Sequence, residues 1–526
     1  MHMNTALTIE EFGRKLRARE ITSEQMTEQC LQRIEADNAR LNTFILVLAD
    51  QARRQAREAD REIVSGHDRG PLHGAPISIK DLIDIRGVPT TAASRVREGH
   101  IAERDAPSIT HLRQAGAVVV GKTNLHEFAF GTTSEDSAFG PVRNPHDPSR
   151  SPGGSSGGSA ASIVAGMALA SVGTDTGGSI RIPAAACGTV GLKPSHGEVS
   201  IDGVVPMSRT FDHVGPLAQT VADACLVYHA LLGDSGAIAP APMPVSGLRL
   251  AVPRKYFCDI LDDEVRAQFD ASLERLREAG ARVDDIEIHH AADIVPVYVH
   301  ISFADAATYH AATLETMAER YTEPVRLRLE AGRYVQAEDY VRALAGREVL
   351  RREVDAALAQ HDALVLPTMP IAAPLIGANT VMVSGSEQPV RNMMLRLTQL
   401  FNVTGHPALA VPCGSTSAGL PCSMQLVGCR MQTDALLRVA LACESYIAGT
   451  PSPRSGLGGR MSGGPAGGGI SGGGTGLMSG GGLSMGSGGR MSGIDGCSIM
   501  ATISATTLPT TAGQKDVKKS RQRKGR

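Results

Sequence analysis

Tryptophan is absent from this 526-residue chain, and it holds only 10 Phe and 8 Tyr. A stacking platform for bases or sugars is therefore not expected, and the composition favours a core of small residues. The nine cysteines form no C-x-x-C pair, and no Cys/His group has the spacing of a zinc site. They read as reduced thiols, mostly buried as small apolar residues. Charge of one sign is lacking too. The formal net charge is −2, so nothing global draws the chain to nucleic acid or to an anionic membrane. The longest small-apolar run, Ala160 to Val172, is too short to span a bilayer and holds Ser162, Gly166 and Ser171. The start, MHMNTALTIEEF, has no cationic-then-apolar signal pattern, and a cytoplasmic location is the expectation.

Glycine is plentiful but unevenly placed. Of the 76 residues from 451 to 526, 22 are Gly, in Gly/Ser/Met units such as GGRMSGG at 458–464. Such a segment buries too little surface to offset its chain entropy, so 451–526 is expected to be a disordered tail. It carries ten Lys/Arg against two Asp, mostly in the closing KDVKKSRQRKGR, and a solvated extension is the simplest reading of that end.

Residues 1–450 read as one large α/β domain. Thr8-x-x-Glu11 and Thr22-x-x-Gln25 are capping boxes that open two helices, and Leu41 to Ala59 reads as a further helix. Short apolar strands are expected at 76–79, 118–121 and 169–173. A strand–helix–strand unit follows over 248–288, then strands at 362–366, 408–412 and 424–428 and a closing helix at 434–447. This alternation predicts a mixed central β-sheet covered by helices on both faces.

Three short segments stand out chemically: PISIKD (76–81), SPGGSSGGSAAS (151–162) and GTDTGGSIRIPAA (173–185). Lys80 ends an apolar strand. A lysine there usually reaches solvent, but one that stays buried loses the stabilisation of its charged form, and a neutral amine is a usable base. The second segment sets Ser155 and Ser156 among four glycines. It fits G-x-S-x-G, yet the nucleophile elbow of that motif needs a preceding strand, and 143–152 reads as loop. No G-K-[ST] follows, so it is not a phosphate-binding P-loop. In the third, a small-residue strand runs into a Gly-rich turn ahead of Ser179. Successive N–H groups at Thr176, Gly177, Gly178 and Ser179 are placed to converge on one point as an oxyanion hole would. Each segment alone has a plain structural reading as a turn or cap. Together they describe a nucleophilic Ser179, a bridging Ser155 and a neutral Lys80, a proton relay without histidine.

The stretch GGSSGGSAAS…SVGTDTGGSIRIPAAACGTVGLKP (153–194) resembles the signature of the amidase signature enzymes almost residue for residue. LHGAPISIKD (72–81), GAVVVGKTNLHEFAFG (116–131), SAFGPVRNP (137–145), DHVGPLAQTVADA (212–224), FNVTGHPALAVPCG (401–414) and GLPCSMQLVG (419–428) agree. The resemblance covers roughly residues 5–450. It implies a Ser–cis-Ser–Lys triad of Ser179, Ser155 and Lys80, with a cis peptide bond before Ser155. Thr176, Gly177 and Gly178 would hold the oxyanion, and Gly131 and Thr132, next to Phe130, would line the substrate pocket. Asp175 and Arg181 would brace the loop, with Ser156 in support.

The implied activity is hydrolysis of a small-molecule carboxamide, with esters or carbamates sharing the acyl-transfer chemistry. No cofactor and no metal are expected, and His126-Glu127 lacks the H-E-x-x-H continuation. No membrane or nucleic-acid partner is expected, and a homodimer is the implied assembly. Inside the family the alternative is the glutaminase (A) subunit of a glutamyl-tRNA amidotransferase, which works with partner chains. Outside it, the alternative is a non-catalytic binding or scaffold protein. The pocket walls are expected from 296–345 and 376–400, which leave the substrate unread.

Overall fold

The structure is a computed structural model, and residues 7–449 are described. The expectation for the 451–526 tail lies outside the described residues. Helix α1 (Ile9–Arg17) starts at the first capping box: Thr8 Oγ1 accepts from the Glu11 N–H at 3.0 Å, and the Glu11 carboxylate accepts from the Thr8 N–H at 3.1 Å. The second box opens α2 (Ser23–Leu41) in the same way, with Thr22 and Gln25.

The expected helix over Leu41–Ala59 is corrected here. Asn42 adopts a left-handed conformation (φ 53) that stops α2, and Phe44–Val47 becomes strand β1. Its aromatic and β-branched residues pair antiparallel with Val118–Thr123, and helix resumes only at α3 (Ala49–Val64).

Chain order continues with β2 (Pro76–Lys80), α4 (Pro107–Gln114), β3 (Val118–Thr123), α5 (Gly157–Val164), β4 (Ala170–Asp175), α6 (Arg181–Cys187), β5 (Val190–Lys193), β6 (His213–Ala218) and α7 (Val221–Leu232). The strand–helix–strand unit follows as β7 (Arg249–Pro253), α8 (Asp263–Glu278) and β8 (Arg282–Ile286), with its two strands parallel. Two helices, α10 (Glu323–Gly332) and α11 (Ala337–Leu358), pack on α9 (Ile294–Met317) over the 296–345 segment expected to wall the pocket. Then come β9 (Ala363–Pro367), a hairpin of β10 (Thr380–Val383) and β11 (Ser386–Pro389), α12 (Val390–Leu395), α13 (Gln399–Thr404), β12 (Ala408–Ser415), β13 (Pro421–Val427) and α14 (Thr433–Ala448).

Eleven strands form one mixed sheet in the order β1-β3-β2-β4-β6-β5-β12-β13-β9-β7-β8. Strands β3, β2 and β4 run parallel, while β4/β6, β6/β5, β5/β12 and β12/β13 are antiparallel. Every residue of β2, β3 and β4 is buried. Strands buried along their whole length have both faces covered, which explains why VVVG reads as an unbroken apolar run and why the one polar residue of PISI, the buried Ser78, is hydrogen-bonded to Ser162 at 2.9 Å. The parallel β2 and β4, with Ile79 beside Val172, set Lys80 and Thr174 at the same end of the sheet.

Candidate active site

Lys80 closes β2 with no exposed surface. Its Nζ lies 2.8 Å from Ser155 Oγ and 2.8 Å from Thr174 Oγ1. Burial strips the ammonium of water and lowers its pKa, and the fields of Asp175 and Asp212 offset only part of that, leaving it at about 7. Near neutrality much of this amine is uncharged. In that form its lone pair can accept the Ser155 proton while an N–H donates to Thr174.

Ser155 stands just ahead of α5, and the Gly154–Ser155 peptide bond is cis. Its carbonyl accepts from the His126 N–H at 3.1 Å and the Ser134 hydroxyl at 3.2 Å, which fixes the loop from two sides. Ser156 supports the same turn: its N–H donates to Ser179 O at 3.2 Å and its hydroxyl to Thr174 O at 3.2 Å. The three chemically distinctive segments therefore meet within one hydrogen-bond network. Ser179 is 6% exposed, and among the described residues its hydroxyl has no hydrogen-bond partner, so of the expected relay the Lys80–Ser155 link is formed and the Ser155–Ser179 link is not.

The turn before Ser179 is tied down from behind. Asp175, at the end of β4, accepts from the N–H groups of Gly178 (2.8 Å) and Ile180 (3.1 Å) and from Arg181 Nε and Nη2, both at 3.0 Å. Arg181, itself fully buried, also reaches Thr398 O, Gln425 Oε1 and Asn402 Oδ1. Burial alone would raise the Asp175 carboxyl, but the adjoining guanidinium outweighs it and holds the group well below the usual carboxylate range.

One donor differs from expectation. The Gly178 N–H is spent on Asp175, so Gly178 serves through its conformation: φ is +139, and a Cβ there would lie 2.3 Å from Thr398 Oγ1. The N–H groups of Thr176, Gly177 and Ser179 remain as the candidate oxyanion donors. Gly177 is pressed closely, since a Cβ on it would sit 2.5 Å from the Tyr298 hydroxyl and 3.2 Å from Leu395 Cδ2. Tyr298 and Leu395 come from α9 and α12, the two distant segments expected to wall the pocket. Gly131 lies against the His126 ring, and the buried Thr132 packs its backbone on Gly154, which brings both to the Ser155 loop.

Sequence reasoning missed Thr174, Asp212 and Thr398. Asp212 accepts from the Thr176 hydroxyl at 2.6 Å and from the Met207 and Ser208 N–H groups; burial raises its carboxyl to about 6 against these bonds. Thr398 donates to Gly177 O at 2.6 Å. Thr174 and Asp212 both lie in segments with distinctive motifs, but only the pairing of β4 with β2 and β6 reveals what they touch. Among the other candidates, Cys187 is buried with its thiol pushed up by desolvation, and His213 is lodged beside Phe211 O and Lys193.

The model of the family described as Amidase matches residues 25–437. The chain belongs to the amidase family. An amidase from Pseudomonas putida is 39% identical over 454 residues, covering 84% of this chain and 96% of that protein. The A subunit of the glutamyl-tRNA(Gln) amidotransferase of Koribacter versatilis is 36% identical over 482 residues, covering 84% and 98%. A crystal structure described as an amidase superposes with a TM-score of 0.79 at 37% identity, covering 84% of this chain and 99% of that one. As an amidase signature enzyme this chain is a hydrolase acting on carbon–nitrogen bonds. Among the described residues, no helix is long and apolar enough to cross a membrane.

Proposed function

We propose that this amidase hydrolyses a small-molecule carboxamide through an acyl-enzyme on Ser179. The reading is carried by one observation: a fully buried Lys80 whose Nζ lies 2.8 Å from Ser155 Oγ and whose pKa is lowered to about 7. As Ser179 Oγ bonds to the substrate carbonyl carbon, its proton passes to Ser155, and Ser155 passes its own to the Lys80 amine. The carbonyl electron pair moves onto oxygen, where the Thr176, Gly177 and Ser179 N–H groups face it. Collapse of this adduct breaks the C–N bond, and Lys80 returns the proton through Ser155 to the departing nitrogen. Water then attacks the acyl ester by the same relay, releasing the carboxylic acid and freeing Ser179.

The test is ammonia or amine release over a panel of amides, esters and carbamates, paired with labelling by a fluorophosphonate. Turnover of at least one amide is expected, with Ser179→Ala reducing kcat/KM by at least about 10³-fold and abolishing the label. Labelling that persists in Ser179→Ala would contradict the assignment. Absence of both turnover and label would instead favour a binding or scaffold role.

A second reading follows from the relatives that are amidotransferase components. In it the same acyl-enzyme forms from glutamine, and the ammonia is handed to partner chains. Glutaminase activity that appears only when the partner chains of such an amidotransferase are added would select it.

A further inference from the structure

We infer that the amide hydrolysed here carries a carboxylate, and that Arg391 binds it; this rests on the hydrolase reading above. Arg391 and Leu395 are four residues apart on α12 and so share one face of that helix. Leu395 reaches the turn before Ser179, where its Cδ2 would touch a Cβ on Gly177 at 3.2 Å. Arg391, one turn earlier, holds its guanidinium 5.9 Å from the centre of the Phe130 ring, beside the Gly131–Thr132 segment that packs on the Ser155 loop. The two side chains thus leave neighbouring turns of one short helix, Leu395 toward the turn before Ser179 and Arg391 toward the Phe130 ring beside the Ser155 loop.

The guanidinium is half-buried, and among the described residues it makes no hydrogen bond and no ion pair. A guanidinium has five N–H donors, and leaving them unpaired out of water is costly. Arg181 in the same chain shows the opposite condition, with its guanidinium bonded to Asp175, Thr398, Gln425 and Asn402.

The carboxylate whose field reaches Arg391, that of Asp136, is already engaged. Asp136 lies 3.1 Å from His126 Nε2 and 3.8 Å from Arg328 Nη1. Arg328 itself donates to Phe130 O at 2.9 Å. Asp136 thus pairs with Arg328 and acts on Arg391 only through its field, which leaves the Arg391 donors without a carboxylate partner among the described residues. The adjoining wall is apolar: Phe303 stands edge-on to Phe130 at 4.9 Å. Low polarity there strengthens a charge-paired contact and suits a hydrocarbon spacer between carboxylate and amide.

The test compares mono-amides of linear dicarboxylic acids, with one to four methylenes between the groups, against uncharged aliphatic amides of equal length. The parent enzyme is expected to prefer one carboxylated amide, chiefly through KM. Arg391→Gln is expected to lower the ratio of carboxylated to uncharged kcat/KM by about 30-fold or more, and Arg391→Lys to keep part of that preference. An unchanged ratio in Arg391→Gln, or a parent that prefers the uncharged series, would overturn the assignment while leaving the hydrolase intact. Calorimetry on Ser179→Ala reads binding without turnover. Binding of the same mono-amides that is lost on adding Arg391→Gln supports the site even if no amide is hydrolysed. Equal binding with and without Arg391 refutes it.

Discussion

Replacing Lys80 by methionine is expected to lower kcat/KM for any amide substrate by at least about 10³-fold while leaving the fold intact or firmer. The two halves of this result have one cause. The amine is useful as a base because burial has pulled its pKa from 10.5 to about 7, and the same burial is a cost to folding. The unfolded chain binds the extra proton between about pH 7 and 10.5, so the penalty is fully present below the folded value and fades as pH rises toward the unfolded one. Methionine fills the lysine stem without a charge. It forfeits the bonds to Ser155 and Thr174, which offsets part of the gain and leaves a net change of about 0 to 2 kcal/mol in favour of the variant near pH 7. Thermal unfolding at pH 6 and at pH 10 checks the sign: Lys80→Met should gain more, relative to parent, at the lower pH. A variant that is inactive and markedly less stable would mean that Lys80 holds the site together rather than serving as its base.

Arg181→Met should have the opposite profile. It removes the guanidinium but leaves Asp175 buried and ionised, with Asn402, Gln425 and the Thr398 carbonyl short of a donor. Breaking a buried pair on one side costs about 3 to 5 kcal/mol. Spread over an unfolding entropy of this size, that is a fall in Tm of about 3 to 5 °C. Asp175 also holds the Gly178 and Ile180 N–H groups, so the turn carrying Ser179 should loosen, and activity should fall with stability. Adding Asp175→Asn should recover part of the lost stability, because it discharges the orphaned carboxylate. The Asp175 pKa is depressed in the folded parent, so the stability it contributes is present above the normal carboxylate range and lost as pH falls below it. Differential calorimetry of the parent, the single variant and the double variant tests this. A shift in Tm below 1 °C for Arg181→Met would contradict it.

Local chemistry made much of the sheet and the site legible in advance. The capping boxes at Thr8 and Thr22 are read within four residues, and the buried parallel strands announce themselves as apolar runs. Lys80, Ser155 and Ser179 were visible because each breaks a local pattern: a charge at the end of an apolar strand, and hydroxyls within glycine runs. The left-handed stop at Asn42 was not legible, because Asn tolerates that conformation without demanding it, and β1 is defined by its pairing with β3. Nor was the spending of the Gly178 N–H on Asp175, which depends on how Arg181 orients that carboxylate. Tyr298 and Leu395 come from helices more than a hundred residues beyond Ser179, and their approach to Gly177 is a property of the packed fold alone.

An uncharged Lys80 amine is the feature on which the proposed chemistry turns, and the rate at which a fluorophosphonate labels Ser179 reads it without knowledge of the substrate. Measured from pH 5 to 9, that rate should climb about tenfold per pH unit and level off near pH 7, where Lys80 loses its proton. A rate that stays flat across this range, or a Lys80→Met variant that labels as fast as the parent, would show that Ser179 is activated by something other than this lysine.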